Sequence, residues 1–159
     1  MEKIIITAGE DFTDIDILAC AVSYNELLRL EGKDSDVILI GEFNKSITDE
    51  IKGWDFKYKK EPIIKNCIYV IVDISHPEHL AKFVDVNKIV ELYDHHFGYE
   101  KNWQDKINGR VVIEQVGSCA TLIWEEFVAR IKPLQISHTS ANLLTAAIIS
   151  RKYGISAKV

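Results

Sequence analysis

The chain has 159 residues, which is the size of one domain when about 150 residues is taken as a unit. Hydrophobic residues make up 47% of the chain and charged residues 27%, which excludes a disordered, collagen-like or disulfide-stapled protein. The formal net charge of -5 excludes a global positive field that would gather nucleic acid or an anionic membrane.

The cysteines and apolar runs predict a cytoplasmic protein. Cys20, Cys67 and Cys119 are widely separated and form no CxxC pair, which is typical of buried, reduced thiols. We expect no signal peptide, and no run approaches the roughly 20 apolar residues of a membrane span. Neither a membrane nor an extended nucleic-acid surface is therefore expected among the partners.

Short β-branched runs alternate with segments of helical periodicity along the chain. The expected strands, in chain order, are Lys3–Thr7, 36–41, Cys67–Val72, 88–92 and 110–115. The expected helices are 17–28 ending near Gly32, 117–130 closed by Pro133, and 139–152. This order predicts an α/β fold: a three-layer domain with a mainly parallel β-sheet of about five strands and helices on both faces.

Two further segments carry local expectations. Residues 53–60 alternate aromatic and basic side chains, which favours an amphipathic edge strand with aromatics inward over a base-stacking surface. His76 and His79 flank Pro77-Glu78, and a solvated first turn of a helix is favoured over metal binding there.

Acidic residues and histidines follow three of the expected strands. They are Asp14 and Asp16 after the first strand, Asp73 after the third, and Asp94, His95 and His96 after the fourth. Because ligands bind at the carboxyl ends of the strands in open parallel sheets, we expect these side chains to lie along one edge.

Carboxylates and imidazoles on one edge repel or desolvate one another unless a cation lies between them. The mixed oxygen and nitrogen ligands suit Mn²⁺, Mg²⁺ or Fe²⁺. Two such ions about 4 Å apart can bind phosphate oxygens and lower the pKa of a bound water, which supplies hydroxide for in-line attack on phosphorus. The alternative is that Asp14 and Asp16 begin a helix and that Asp73 caps the next one.

The segment VELYDHH at residues 90–96, followed by Asn102 and Trp103, resembles the signature of the DHH phosphoesterases. That family includes family II inorganic pyrophosphatases, oligoribonucleases, cyclic-dinucleotide phosphodiesterases and single-strand exonucleases. Four further segments are similar to its other motifs, in order and over nearly the whole chain: 14–16, 70–73, 116–121 and 143–150.

The resemblance implies a role for each residue of the edge. The implied metal ligands are Asp14 and Asp73 for one ion, and Asp16, Asp73 and His95 for the other. Asp94 and His96 would support the site or contact the phosphate. The catalytic residues that the resemblance implies are Asp73, His95 and His96. The implied cofactor is Mn²⁺ or Mg²⁺, as one or two ions.

Two positions depart from the family pattern. Glu10 stands where members with the fullest metal set carry a histidine, and its oxygens can still bind a hard cation. Arg151 stands where the fourth motif places an aspartate. Three readings are open for Arg151: it points away, it weakens the second metal position by repulsion, or it grips a phosphate bidentately. Alternatively, Arg151 and its neighbour Lys152 are cations near the C-terminus of a helix, where the helix dipole favours positive charge.

Two functions from different classes follow. The first is a divalent-metal-dependent phosphohydrolase acting on a phosphoanhydride or phosphodiester through metal-bound hydroxide, weakened by the changes at Glu10 and Arg151. The second is a non-catalytic protein of the same fold that binds a nucleotide, a phosphate or a partner protein. Residues 1–159 are expected to form one domain without the second, substrate-binding domain of the family, and a homodimer would help to close the cleft.

Overall fold

The structure is a computed structural model that describes residues 2–62, 65–132 and 135–152, with backbone alone for the last two of these. Its strands are β1 (Lys3–Thr7), β2 (Phe12–Thr13), β3 (Ser35–Val37), β4 (Glu42–Phe43), β5 (Cys67–Val72), β6 (Ile89–Asp94) and β7 (Arg110–Ile113). Its α-helices are α1 (Ile15–Leu30), α2 (Asp49–Lys52), α3 (Glu100–Lys106), α4 (Cys119–Arg130) and α5 (His138–Lys152).

Five of the strands form one parallel sheet in the order β3-β1-β5-β6-β7, and β2 pairs in parallel with β4 beside it. Successive strand residues alternate between the two faces of the sheet. Ile6 and Val70 face a core with α1, α4 and α5, whereas Ile5 and Ile71 face a second core that contains Trp103 of α3. The predicted three-layer α/β fold is confirmed. No helix in the described ranges is both long and apolar enough to cross a membrane.

Trp103, the last residue of the signature, ties the second face of the sheet to the loops at its carboxyl edge. Its ring is fully buried, and its Nε1 donates a hydrogen bond to the Ser75 carbonyl oxygen at 2.6 Å. The Ser75 hydroxyl in turn donates to the His96 carbonyl oxygen at 3.2 Å. Trp103 therefore positions the loops that follow β5 and β6.

Two local expectations are wrong in detail. The strand expected over residues 36–41 spans only Ser35–Val37. Ile38 still donates to the Ile6 carbonyl oxygen of β1 at 3.0 Å, but on its other side it forms only an isolated bridge to Lys59. Residues 53–60 form no regular strand beyond that bridge. Their aromatics do turn inward, with the Tyr58 ring 5.2 Å from that of Phe43. Pro133, expected to close α4, lies outside the described residues.

Gly109, at the turn into β7, lies very close to the backbone of β6. A Cβ atom at Gly109 would lie 2.0 Å from the Val90 carbonyl oxygen, whereas one at Gly117 would meet open space. We expect Gly109→Ala to lower the free energy of unfolding by about 1–3 kcal/mol because the backbone must move. Gly117→Ala is the matched control and should unfold at nearly the wild-type denaturant concentration. Equal stability of the two variants would contradict this packing.

Candidate metal centre

The acidic and histidine residues gather where the order of the sheet changes direction. β1 and β5 are neighbours at this point, and their carboxyl ends border a cavity of about 520 Å³. The predicted residues that line the cavity are Asp14, Asp73, Asp94 and His96. Asp16 and His95 lie just beneath it, with Asp16 fully buried and the His95 side chain 10% exposed. This is the crevice in which open α/β sheets bind ligands.

His95 is held in one orientation by the backbone. Its Nδ1 lies 3.1 Å from the carbonyl oxygen of Val116 and donates to it, because a carbonyl can only accept. The other ring nitrogen, Nε2, faces Asp73 Oδ1 at 3.4 Å and Asp16 Oδ2 at 3.7 Å. This buried Nε2 makes no hydrogen bond to any residue that the structure describes. A neutral His95 therefore directs a lone pair at two buried carboxylates.

The electrostatics of this cluster favour a bound positive charge. Burial raises the pKa of Asp73 well above its usual value, and the neighbouring charge of Asp16 adds to the effect. For His95, burial lowers the pKa, but the nearby carboxylate of Asp73 outweighs it and the pKa is raised to about 9. Without a metal ion, the cluster holds a proton at neutral pH.

The spacing of the ligand atoms fits a divalent cation. Ligands that are each about 2.1 Å from one ion lie about 3.0–3.4 Å from one another. The 3.4 Å between His95 Nε2 and Asp73 Oδ1 matches this spacing and is long for a hydrogen bond. Asp73, His95 and His96 each offer a ligand atom within 4.8 Å of the others. The donor set of oxygen and imidazole nitrogen suits Mn²⁺.

The backbone of Asp73 is itself constrained. Its φ of 56° lies in the left-handed region, which is uncommon outside glycine. Its N–H nevertheless donates to the Tyr93 carbonyl oxygen at 2.8 Å, so the residue stays anchored between β5 and β6. The 3-10 turn that follows is capped by His76. The alternative that Asp73 caps the next helix is therefore wrong.

Asp94 positions both histidines of the signature. It is fully buried, and its Oδ1 accepts hydrogen bonds from the His95 N–H at 2.7 Å and from His96 Nδ1 at 2.8 Å. His96 thus keeps Nε2 for other partners, and its side chain is 55% exposed. The described residues offer no hydrogen bond to Asp94 Oδ2.

The two aspartates of the first motif have different local partners. Asp14 caps α1, accepting from the Ile17 N–H at 2.9 Å, as the capping alternative predicts. Asp16 accepts hydrogen bonds from the start of α4: from Ser118 Oγ at 2.8 Å, from Cys119 N at 3.1 Å and from Ala120 N at 2.9 Å. The negative charge of Asp16 is favourable at this helix N-terminus. Asp16 therefore joins α1 to α4 as well as facing His95.

The structure does not bring Glu10 into the cluster. Its Oε1 lies 2.8 Å from Lys82 Nζ, and its Oε2 accepts from the Lys82 N–H at 3.1 Å. A role as a metal ligand would require Glu10 to leave this pair, and that role stays a prediction. Arg151 lies within α5, but its side chain is outside the described residues, so its three readings also stay predictions.

Some aromatic residues that no sequence pattern indicated also line the cavity: Phe12, Phe97 and Tyr99. His76 and His79, for which a solvated position was favoured, line it as well. The two imidazoles stack with ring centres 4.3 Å apart, and the His76 ring is 4.7 Å from that of Tyr99. They form a 3-10 turn that faces the cavity, not the first turn of an α-helix.

A substitution at Asp73 tests the metal centre. We expect Mn²⁺ to raise the melting temperature of the wild-type protein by about 5 °C or more, since a ligand at 100 times its Kd adds about 2.7 kcal/mol. Asp73→Asn should lose this shift because a buried carboxylate ligand has become neutral. Asp105→Asn, which changes an exposed aspartate of α3, is the matched control and should keep it. An unchanged shift in Asp73→Asn would contradict the assignment.

The raised pKa of His95 predicts how Mn²⁺ binding depends on pH. Below a pKa of about 9 the ring carries a proton that must leave before Nε2 can bind a metal. The affinity should therefore rise with pH, by roughly tenfold per unit while one proton is displaced, and flatten near that pKa. Calorimetry in buffers of different ionisation enthalpy should measure the released proton. An affinity that is constant from about pH 6 to 8 would contradict this coupling.

Comparisons with known proteins agree with the signature segments. No family model matches the chain. It is 25% identical over 147 residues to a probable manganese-dependent inorganic pyrophosphatase of Lactobacillus acidophilus, covering 89% of this chain and 45% of that protein. A protein of the same description from Listeria welshimeri is 27% identical over 148 residues, with 89% and 46% covered. The chain thus spans about half the length of the curated relatives it matches.

Solved structures share the fold. An exopolyphosphatase-related protein from Bacteroides fragilis superposes with a TM-score of 0.74 at 15% identity, covering 98% of this chain and 47% of that one. A putative family II inorganic pyrophosphatase from Methanococcus jannaschii superposes with a TM-score of 0.71 at 18% identity, covering 94% and 49%. These sequence relatives and the shared fold agree with the resemblance of the signature segments to the DHH phosphoesterases.

Proposed function

We propose that the chain is the metal-binding part of a divalent-metal-dependent phosphohydrolase that acts on a phosphoanhydride or phosphodiester. One observation carries the proposal: the buried His95 Nε2 faces the carboxylates of Asp73 and Asp16 at 3.4 and 3.7 Å. The manganese-dependent pyrophosphatases among its relatives support the same chemistry and the same metal.

The residues of the chain would have separate roles in this reaction. Asp73 and His95 would hold the ion, with Asp16 beside them and Asp14 at the cavity wall. When bound, Mn²⁺ or Mg²⁺ lowers the pKa of a coordinated water and polarises the phosphoryl oxygens. Val116 keeps the His95 ring turned so that Nε2 faces the carboxylates, since its carbonyl oxygen accepts from Nδ1.

His96 is positioned to contact the phosphate of a bound substrate. Asp94 accepts from its Nδ1 at 2.8 Å and so fixes the ring, while Nε2 stays available toward the cavity. A protonated Nε2 can donate to a phosphate oxygen or deliver a proton to the leaving group. This role differs from metal binding, and it separates His96 from His95 in an experiment.

The charges around the cavity explain why a metal ion is needed. Asp11, Asp14, Asp73 and Asp94 line it, and no lysine or arginine does so among the described residues. A phosphate would meet net repulsion there unless cations intervened. Arg151 is the one predicted exception, as a phosphate contact. Three further points remain predictions: a phosphorylated small molecule or nucleotide as substrate, a homodimer, and a cytoplasmic location.

The non-catalytic alternative is favoured by one observation. Glu10, which takes the place of a family ligand, is engaged by Lys82 and leaves the cluster short of one donor. A protein that retained the fold but bound only one weak ion would keep phosphate affinity without turnover. Titration with Mn²⁺ separates the two cases, since an enzyme of this kind should bind tightly.

Turnover tests the proposal directly. We expect Mn²⁺-dependent phosphate release from inorganic pyrophosphate or from a phosphodiester. Asp73→Asn and His95→Gln should abolish it by removing the ion, whereas His96→Gln should lower kcat by about 100-fold or more while keeping Mn²⁺ affinity. Asp105→Asn is again the control. Equal rates in chelator would contradict a metal-dependent reaction, and tight Mn²⁺ binding without release from any substrate would favour the non-catalytic protein.

A further inference from the structure

We propose that His76 and His79, the histidine pair, together bind the second phosphoryl group of a phosphoanhydride while the first lies at the metal centre. Both imidazoles line the cavity that also holds the metal ligands, and neither has a role in the reaction described so far. This inference rests on the proposed function, because the metal centre fixes the position of the first phosphoryl group.

The cavity needs hydrogen-bond donors away from the metal ion. Asp11 and Asp14 line it and would repel a second phosphoryl group. No lysine or arginine lines it within the part of the chain that the structure describes. His96 lies beside the metal ligands, so the other described side chains of the wall that can carry a positive charge are those of the histidine pair, His76 and His79.

The ring of His76 is held with its donor nitrogen free. Its Nδ1 accepts a hydrogen bond from the Glu78 N–H at 3.3 Å, so the neutral ring carries its proton on Nε2. The ring of Tyr99 packs on the His76 ring, with the two ring centres 4.7 Å apart. His76 Nε2 is therefore a donor on a ring that is fixed from two sides.

His79 is held by its backbone. Its N–H donates to the His76 carbonyl oxygen at 3.0 Å, and the next residue, Leu80, forms an antiparallel bridge with Gly9. A Cβ atom at Gly9 would lie 2.7 Å from the His79 carbonyl oxygen, so the loop that leads to Asp14 packs directly on this turn. The histidine pair is thus fixed in position relative to the metal centre.

The stacking of the two rings favours an anion as their ligand. Their centres are 4.3 Å apart and their planes differ by 18°. Two protonated rings at this distance repel each other, and a phosphoryl group that accepts hydrogen bonds from both offsets the repulsion. A metal ion would need a third ligand, and the described residues that offer three ligand atoms to one ion are Asp73, His95 and His96. The histidine pair therefore suits an anion better than a cation.

The test compares two ligands that are not hydrolysed and that differ by one phosphonate group. At saturating Mn²⁺, calorimetry should show methylenediphosphonate binding about 100-fold more tightly than methylphosphonate, the gain of two charge-assisted hydrogen bonds of about tenfold each. His76→Phe and His79→Phe keep a stacked ring but remove its N–H donor. Each should lower the affinity for methylenediphosphonate by about tenfold and leave the affinities for methylphosphonate and Mn²⁺ unchanged.

His138→Phe is the matched control, because it changes an exposed histidine at the start of α5, outside the cavity wall. It should leave the ratio of the two affinities at the wild-type value.

The outcomes separate this inference from the proposed function. Equal affinity of the wild-type protein for the two ligands, or an equal loss for both ligands in His76→Phe and His79→Phe, overturns the role of the histidine pair even if Mn²⁺-dependent phosphate release is found. A loss of Mn²⁺ affinity in these variants would assign the pair to metal binding and would also overturn it. A selective loss of methylenediphosphonate affinity without any turnover supports the pair and counts against the hydrolase.

Discussion

His95 Nε2 is buried against two carboxylates, and several parts of the fold keep it there. A ring nitrogen 3.4 Å from Asp73 and 3.7 Å from Asp16 is satisfied only by a proton or a cation at the same place. Three separate parts of the fold keep this arrangement: the Val116 carbonyl, the left-handed turn at Asp73 and the start of α4. Such strain at a polar cluster is expected where a ligand compensates it.

Asp16 shows how the site and the fold share residues. Its carboxylate accepts from Ser118, Cys119 and Ala120, so it closes the N-terminus of α4 and holds that helix against α1. A substitution there would weaken packing and metal binding together. Asp73 and His96 separate these effects better, since their partners Tyr93 and Asp94 lie at the end of β6 rather than between helices. Trp103 acts on the site indirectly, because its buried ring reaches the site through its hydrogen bond to the Ser75 carbonyl oxygen.

Most of the fold and the position of the site were predictable from the sequence. The same physical reasons explain which residues were not predictable. β1 and β5 are continuous β-branched runs, so their bounds were predictable. The carboxyl-edge rule brought Asp73 and His95 together without knowledge of their distance. The pairing of Glu10 with Lys82 was not predictable because the two residues are 72 positions apart in the sequence. Phe12 and Phe97 were overlooked because an exposed ring beside a cavity has no periodic signal.

One measurement decides the central claim, which is that a divalent cation belongs between His95 and the two buried carboxylates. Crystals of the protein soaked in Mn²⁺ should show an anomalous peak at the manganese edge within about 2.0–2.3 Å of His95 Nε2 and of an Asp73 oxygen. The His95 ring should keep its contact with Val116. A map with no peak there at saturating Mn²⁺, or with the ion bound only at surface carboxylates, would contradict the account.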